Sequence, residues 1–217
     1  FKVYLEFGSP LDTGNTMAAN CAVSTLEYLA FKWDAQNNAR RIVTKYTWFP
    51  HLSVEDMLRR MSSIYQSGGQ REAFNIAKGV LEIAAGRMNH DDIRYLEVTE
   101  EDSERRSYDL NLYDADLKIM DVHSLLLQMC QLVSIPSERF KPLYDEIQTT
   151  RLGHFAGGVH RDNQDFFNVY FGGVMSFAAD AGRSAPETET PFNVVRTTDS
   201  GVDAKLSQSY LDRLEYT

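Results

Sequence analysis

Polar and apolar residues alternate from the first position of the chain. Val3, Leu5 and Phe7 share one side of a two-residue period and Lys2, Tyr4 and Glu6 the other, which predicts a strand over residues 1–7. A polar stretch with Gly8, Pro10 and Gly14 ends it, and a short helix is expected around Met17 to Val23. Two aromatic and aliphatic segments, 25–33 and 41–49, flank the turn-forming cluster DAQNNA and predict a β-hairpin. At Ser53 the period changes to that of a helix. Ser53 and Asp56 have the outline of a capping box, and Val54, Met57, Leu58, Met61 and Ile64 form the apolar stripe. SGGQ at 67–70 separates this helix from a second over 71–87, with Phe74, Ala77, Val80, Leu81 and Ala84 on one side.

The same cycle then recurs. A hairpin is expected over 93–113, with EEDSE as its turn, followed by helices at about 117–132 and 137–148. Leu152 to Val159 and Phe166 to Phe171 predict a third hairpin around HRDNQ. Hairpins that alternate with helix pairs at similar intervals indicate internal duplication. The predicted class is α+β: an antiparallel sheet or partial barrel of repeated hairpins, covered on the outside by helix pairs. Residues 1–178 form one αββα-repeat domain in this reading. Residues 179–217 read as an extended polar tail, with at most a short helix near Leu206 to Leu214. A chain that opens in mid-strand predicts further residues upstream of Phe1.

The first strand and each hairpin carry a polar residue, a spacer and a tyrosine: Lys2-Val3-Tyr4, Asn111-Leu112-Tyr113 and Asn168-Val169-Tyr170, with Thr44-Lys45-Tyr46 at the equivalent place. Residues two apart on a strand face the same way. Such pairs would therefore project into one interior chamber, or simply reflect the liking of Tyr for strands and of Asn for their ends.

Repeated αββα units with K-x-Y and N-x-Y strand ends resemble the aromatic prenyltransferases of the PT-barrel (ABBA) type, over roughly residues 1–173. The resemblance implies a reaction in which prenyl diphosphate alkylates an aromatic small molecule. Lys2, Asn111 and Asn168 would bind the diphosphate, and Tyr4, Tyr46, Tyr113 and Tyr170 would line the chamber and shield the allylic cation. The chain departs from that family in two ways. Its three hairpins and lone first strand are fewer than the family's five hairpins, and Lys2 is the single cation among Lys2, Thr44, Asn111 and Asn168, while Asp109 shares the inward parity of Asn111 and opposes a diphosphate. An alternative therefore stands beside the transferase: a non-catalytic structural or binding subunit of a larger assembly, whose protein partner is engaged through the tail or an open strand edge.

Composition narrows the field. An apolar content of 43% permits a sizeable core, and a net charge of −9 opposes nucleic-acid binding, which phosphate contacts dominate. Two cysteines, Cys21 and Cys130, give neither a disulfide framework nor a thiolate zinc site. No apolar run is long enough for a membrane span, and with no signal peptide the expected compartment is the cytoplasm. No cofactor is expected. Asp114 and Asp116 read either as Mg²⁺ ligands or as a strand-to-helix turn in which Asp116 caps the next helix. Arg105 and Arg106, beside the second hairpin turn, suggest either an anion site at the barrel mouth or turn charges paired with Glu100, Glu101 or Glu104. His154 and His160 share a strand face but lack a third metal ligand, and Gly153, Gly157 and Gly158 mark a bulge or a close backbone approach. Phe31, Trp33, Tyr46, Trp48 and Phe49 read as an aromatic cage or as core.

Overall fold

The computed structural model describes residues 2–7, 24–34, 36–65, 71–172 and 190–195. The short helices expected at 17–23 and near 206–214 lie outside these residues. The fold is α+β. Eight antiparallel strands form one sheet in chain order: β1 (Lys2–Glu6), β2 (Thr25–Asp34), β3 (Asn37–Trp48), β4 (Arg94–Glu100), β5 (Arg106–Asn111), β6 (Leu152–Val159), β7 (Asp165–Phe171) and β8 (Thr190–Val195). Among the described residues the sheet is open, with β1 and β8 at its edges. The three expected hairpins are β2–β3, β4–β5 and β6–β7, and β1 pairs with β2 as the first-strand alternation requires. β8 was not expected from the sequence. It hydrogen-bonds the outer edge of β7, with Asn168 opposite Asn193.

Four helices pack on one face: α1 (Val54–Tyr65), α2 (Arg71–Ala85), α3 (His123–Leu132) and α4 (Ser137–Ile147). Ser53 starts α1 as its sequence suggests. Its Oγ accepts from the Asp56 N–H at 3.1 Å and donates to the Asp56 carboxylate at 2.7 Å. The apolar stripes of α1 and α2, through Met57, Met61, Ile76, Val80 and Leu81, meet the inner positions of β4–β7. Those positions are Tyr95, Tyr108, Leu110, Phe155, Phe167 and Val169, all buried to within 2%. Two corrections concern helix starts. α3 begins at His123 rather than near 117, because a 3-10 turn over Ile119–Val122 precedes it. Asp116 does not cap the helix that follows; it closes the 3-10 turn Tyr113–Ala115, its N–H donating to the Tyr113 carbonyl at 3.1 Å. It sits in the left-handed region (φ 47°), and Asp121 takes the capping role by accepting from the Lys118 N–H at 2.8 Å.

Two glycines decide how the aromatic layer seats. Gly153 is the extra residue of a β-bulge between Leu152 and His154. A Cβ there would lie 2.5 Å from the Tyr113 ring, and one at Gly157 would lie 2.5 Å from the Tyr108 hydroxyl. The glycines thus mark both a bulge and close approaches, as their clustering suggested. Among the described residues no helix is long and apolar enough to cross a membrane.

Candidate functional site: a tyrosine-lined pocket on the face opposite the helices

Strand pairing fixes which side chains share the face away from the helices. Tyr46 stands opposite Tyr28 on β2 and Val98 on β4. Leu96 faces Asp109, and Asn111 faces both Arg94 and His154. His154 in turn faces Tyr170. These neighbours enclose a pocket of about 430 Å³. Tyr4 and Glu6 close it from β1, and Glu27, Tyr28 and Tyr46 from β2 and β3. Arg94, Leu96, Asp109 and Asn111 line its floor, and His154 and Tyr170 its far wall. The Tyr46 ring contacts Tyr4 (centroids 6.0 Å apart) and Tyr28 (6.1 Å), while His154 meets Tyr170 edge-on at 5.8 Å.

Of the residues the sequence proposed, Tyr4, Tyr46, Asn111 and Tyr170 therefore meet in one pocket. Tyr113 does not line it. β5 ends at Asn111 and a 3-10 turn begins at Tyr113, so strand alternation stops between them. The Asn111 side chain accepts the Tyr113 N–H at 3.2 Å, which fixes that turn. The Tyr113 ring then lies over Gly153 and edge-on to His154 (5.5 Å). Asn168 shares the face by its register opposite Ala156 but stands outside the pocket lining. Lys2 pairs with Lys32 at the hairpin-turn end of the same face, and its side chain lies outside the described residues.

Two charged members of the pocket, Glu27 and Arg94, were not singled out from the sequence. The register slips between Leu26 and Tyr28, making Glu27 the extra residue of a second bulge. Its side chain, 7% exposed, pairs with Arg94, whose guanidinium also lies 5.0 Å from the centre of the Trp48 ring. Burial raises the Glu27 pKa despite Arg94. Burial, and after it the Glu27 charge, pushes the neighbouring Tyr28 hydroxyl up to about 12. Opposite, His154 Nδ1 lies 2.7 Å from Asp109 Oδ1. The parity that sets Asp109 beside Asn111 holds, and His154, read from the sequence only as half of a possible metal pair, stands across from Asn111. Nothing in the sequence marks the bulge that aims Glu27.

A second charge cluster occupies the hairpin-turn end of the face. Glu100, buried, receives Arg161 through Nε and Nη2 (3.0 and 2.8 Å) and Arg105 on its other oxygen. Arg105 is 14% exposed, its Nε is buried without a hydrogen-bond partner, and its guanidinium lies 4.9 Å from the centre of the Phe166 ring. Burial, and then repulsion from Arg105, lowers the pKa of the half-buried Lys32. The same two causes lower that of His160, whose ring meets Phe166 at 5.5 Å. Arg105 thus makes the Glu100 pair considered from the sequence, but as a buried group. Arg106 pairs instead with Glu97 at 2.9 Å. Tyr46 joins the two regions, because its hydroxyl senses Asp109 and Tyr170 as well as Arg105 and Glu100.

Among the described residues no three His, Cys, Asp or Glu side chains gather as a metal site, and Asp116 stands 85% exposed beside Arg151. The chain matches no family model, no curated protein and no solved structure.

Proposed function

We propose that the sheet face opposite the four described helices binds a prenyl diphosphate and an aromatic acceptor and transfers the prenyl group between them. The observation that carries this reading is the polarity of the face. A cluster of Lys32, Arg105 and Arg161 around Glu100 adjoins a tyrosine-lined pocket, with Tyr46 between the two. Clustered cations, with Arg105 buried and Lys32 half-buried, and a guanidinium Nε without a hydrogen-bond partner are relieved by an anion. From Glu100 to Leu96 is four strand residues, about 13 Å at ~3.3 Å per residue. That span suits a diphosphate at one end and a short prenyl chain reaching Tyr46.

In this mechanism the bond between the allylic carbon and the diphosphate oxygen breaks, and its electron pair leaves with the diphosphate. Lys32, Arg105 and Arg161 stabilise the developing charge. The rings of Tyr4, Tyr46 and Tyr170 face the allylic cation. An acceptor ring carbon supplies the electrons for the new C–C bond, and His154, oriented by Asp109, is the base that takes the ring proton. The diphosphate site of this proposal differs from Asn111 and Asn168, and keeps Lys2 only as a neighbour by register. Calorimetry with dimethylallyl diphosphate and a turnover assay over aromatic acceptors test it. Micromolar binding that Arg105→Ala abolishes is expected. Absence of both binding and turnover removes the proposal.

A second reading, a binding subunit, is favoured by the β1 edge. Val3, Leu5, Phe7 and Leu26 are 38–47% exposed. By register Val3, Leu5 and Leu26 lie on the helix side of the sheet. Light scattering after size exclusion tests it, and a monomer at all concentrations counts against it.

A further inference from the structure

The charges inside the tyrosine pocket carry information about its occupant. Glu6, Glu27 and Asp109 line it together with Arg94 and His154. Arg94 is engaged by Glu27, and His154 by Asp109. The carboxylates exceed the permanent cations, and the walls are aromatic rings whose faces carry negative potential. Anionic groups and tyrosine rings in one half-enclosed space repel a carboxylate ligand and attract an organic cation.

A second observation stands apart from the count of acidic groups. Glu27 is 7% exposed, and one of its carboxylate oxygens, Oε2, is fully buried and meets no hydrogen-bond geometry, although the Tyr28 hydroxyl adjoins the carboxylate. Such an oxygen is costly to bury and calls for a donor. The bulge that inserts Glu27 into β2 also weakens a strand ladder, so the position carries two local penalties at once.

We infer that the pocket takes a ligand bearing a protonated amine or guanidinium on an aromatic or short organic body. The cationic head lies among Glu27, Glu6 and Asp109, and the body lies against Tyr4, Tyr28 and Tyr46. This rests on the pocket of the transferase reading and gives the acceptor its chemical class. It does not require prenyl transfer, because the cation is recognised in the absence of diphosphate. The cationic groups at the opposite end of the face and the carboxylates here divide the two ligands by charge. Each would be rejected by the other's site.

Two probes matched in ring and chain but opposite in charge test the inference: tyramine and 3-(4-hydroxyphenyl)propionate. Both are titrated into the full chain by calorimetry without diphosphate. Tyramine is expected to bind at least about tenfold more tightly, from combined charge and cation–π attraction. Glu27→Gln is expected to weaken tyramine at least about fivefold while the melting transition remains cooperative. Asp109→Asn, which keeps an acceptor for His154, gives an independent second variant with a smaller loss. Equal affinity for the two probes, tighter binding of the propionate, or no binding of either overturns the inference. So does tyramine binding that ignores both substitutions. A parallel titration with dimethylallyl diphosphate separates the failures. Diphosphate binding without tyramine binding leaves the transferase reading and removes this one. The reverse leaves the cationic pocket and removes the transferase.

Discussion

The two faces of this sheet are built from the same residue types and do opposite things. On the helix side, Tyr65 and Tyr108 are buried, their hydroxyls 3.1 Å apart and their rings packed edge-on. Burial raises both pKa values far from physiological pH, so these groups are structural. On the other side Tyr4, Tyr28, Tyr46 and Tyr170 surround open space together with carboxylates and an arginine. The difference lies in what faces each layer. Four helices fill one side with Met, Leu, Ile and Val at close packing. The other side meets unlike charges and a cavity. A tyrosine is therefore core or binding surface according to its parity on the strand, and the residue type alone does not say which.

Substitutions that exchange volume should break this contrast most visibly. Phe167→Ala, on the filled side, should cost about 3–5 kcal/mol in urea unfolding, as large core truncations do. Leu126→Ala, on the buried side of α3, should cost about 2–5 kcal/mol. Tyr170→Ala, on the open side, should cost less than about 1 kcal/mol and weaken ligand binding instead. Equal costs for Phe167 and Tyr170 would show that the pocket side is packed like a core. Next in size is Gly157→Ala. Its Cβ would collide with the Tyr108 hydroxyl at 2.5 Å and approach that of Tyr65 at 3.0 Å. A loss of about 1–3 kcal/mol by thermal denaturation is expected from such overpacking. No loss would mean that the tyrosine pair is not held against β6.

Two buried carboxylates on the open face sharpen the comparison through pH. Burial acts to raise Glu100, but Arg161 and Arg105 outweigh it and hold it below its ordinary 4.5. Its stabilisation is present above pH 4.5 and is lost as pH falls through its lower folded value. Glu27 is raised by burial, so the folded protein holds its proton more tightly than the unfolded chain. Its contribution therefore worsens as pH rises above 4.5. Melting curves from acid to neutral pH should then separate the variants. Glu100→Gln should be less stable than the parent at neutral pH and converge with it in acid. Glu27→Gln should be slightly more stable at neutral pH and equal to it in acid. A binding residue retained at the expense of stability behaves in this way. Parallel curves for both variants would remove the distinction. The smallest effect concerns Cys130, whose thiol burial pushes up to about 11. Site-resolved labelling at pH 8 should find it nearly inert in the native state, and prompt reaction would show that the layer under α3 opens readily.

Much of the strand and helix order was legible in the sequence because period and turn chemistry are local. The alternation at residues 2–6, the DAQNNA and HRDNQ turns and the Ser53–Asp56 cap each act within a few residues, and each element formed where its pattern lay. The repeated K-x-Y, T-x-Y and N-x-Y pairs identified a shared face for Tyr4, Tyr46 and Tyr170 and failed for Tyr113. The failure is also local in origin, since Asn111 turns the chain one residue before the expected parity could act.

Tertiary structure decided the rest. Glu27 reaches the pocket through a bulge set by pairing with β3, and Arg94 meets it from 67 positions away. Asp109 meets His154 only because β5 and β6 align Asn111 with His154. β8 lies in a stretch that reads as polar tail, and it became a strand by using the free edge of β7. Periodicity fixes which way a side chain points relative to its own strand. Register, bulges and edge pairing are settled between strands distant in sequence, where hydrogen-bond alignment and the packing of both faces must be satisfied at once. The sequence by itself therefore determined the elements, their order and the two faces of each strand. The charge of the pocket came from the way the strands were laid together.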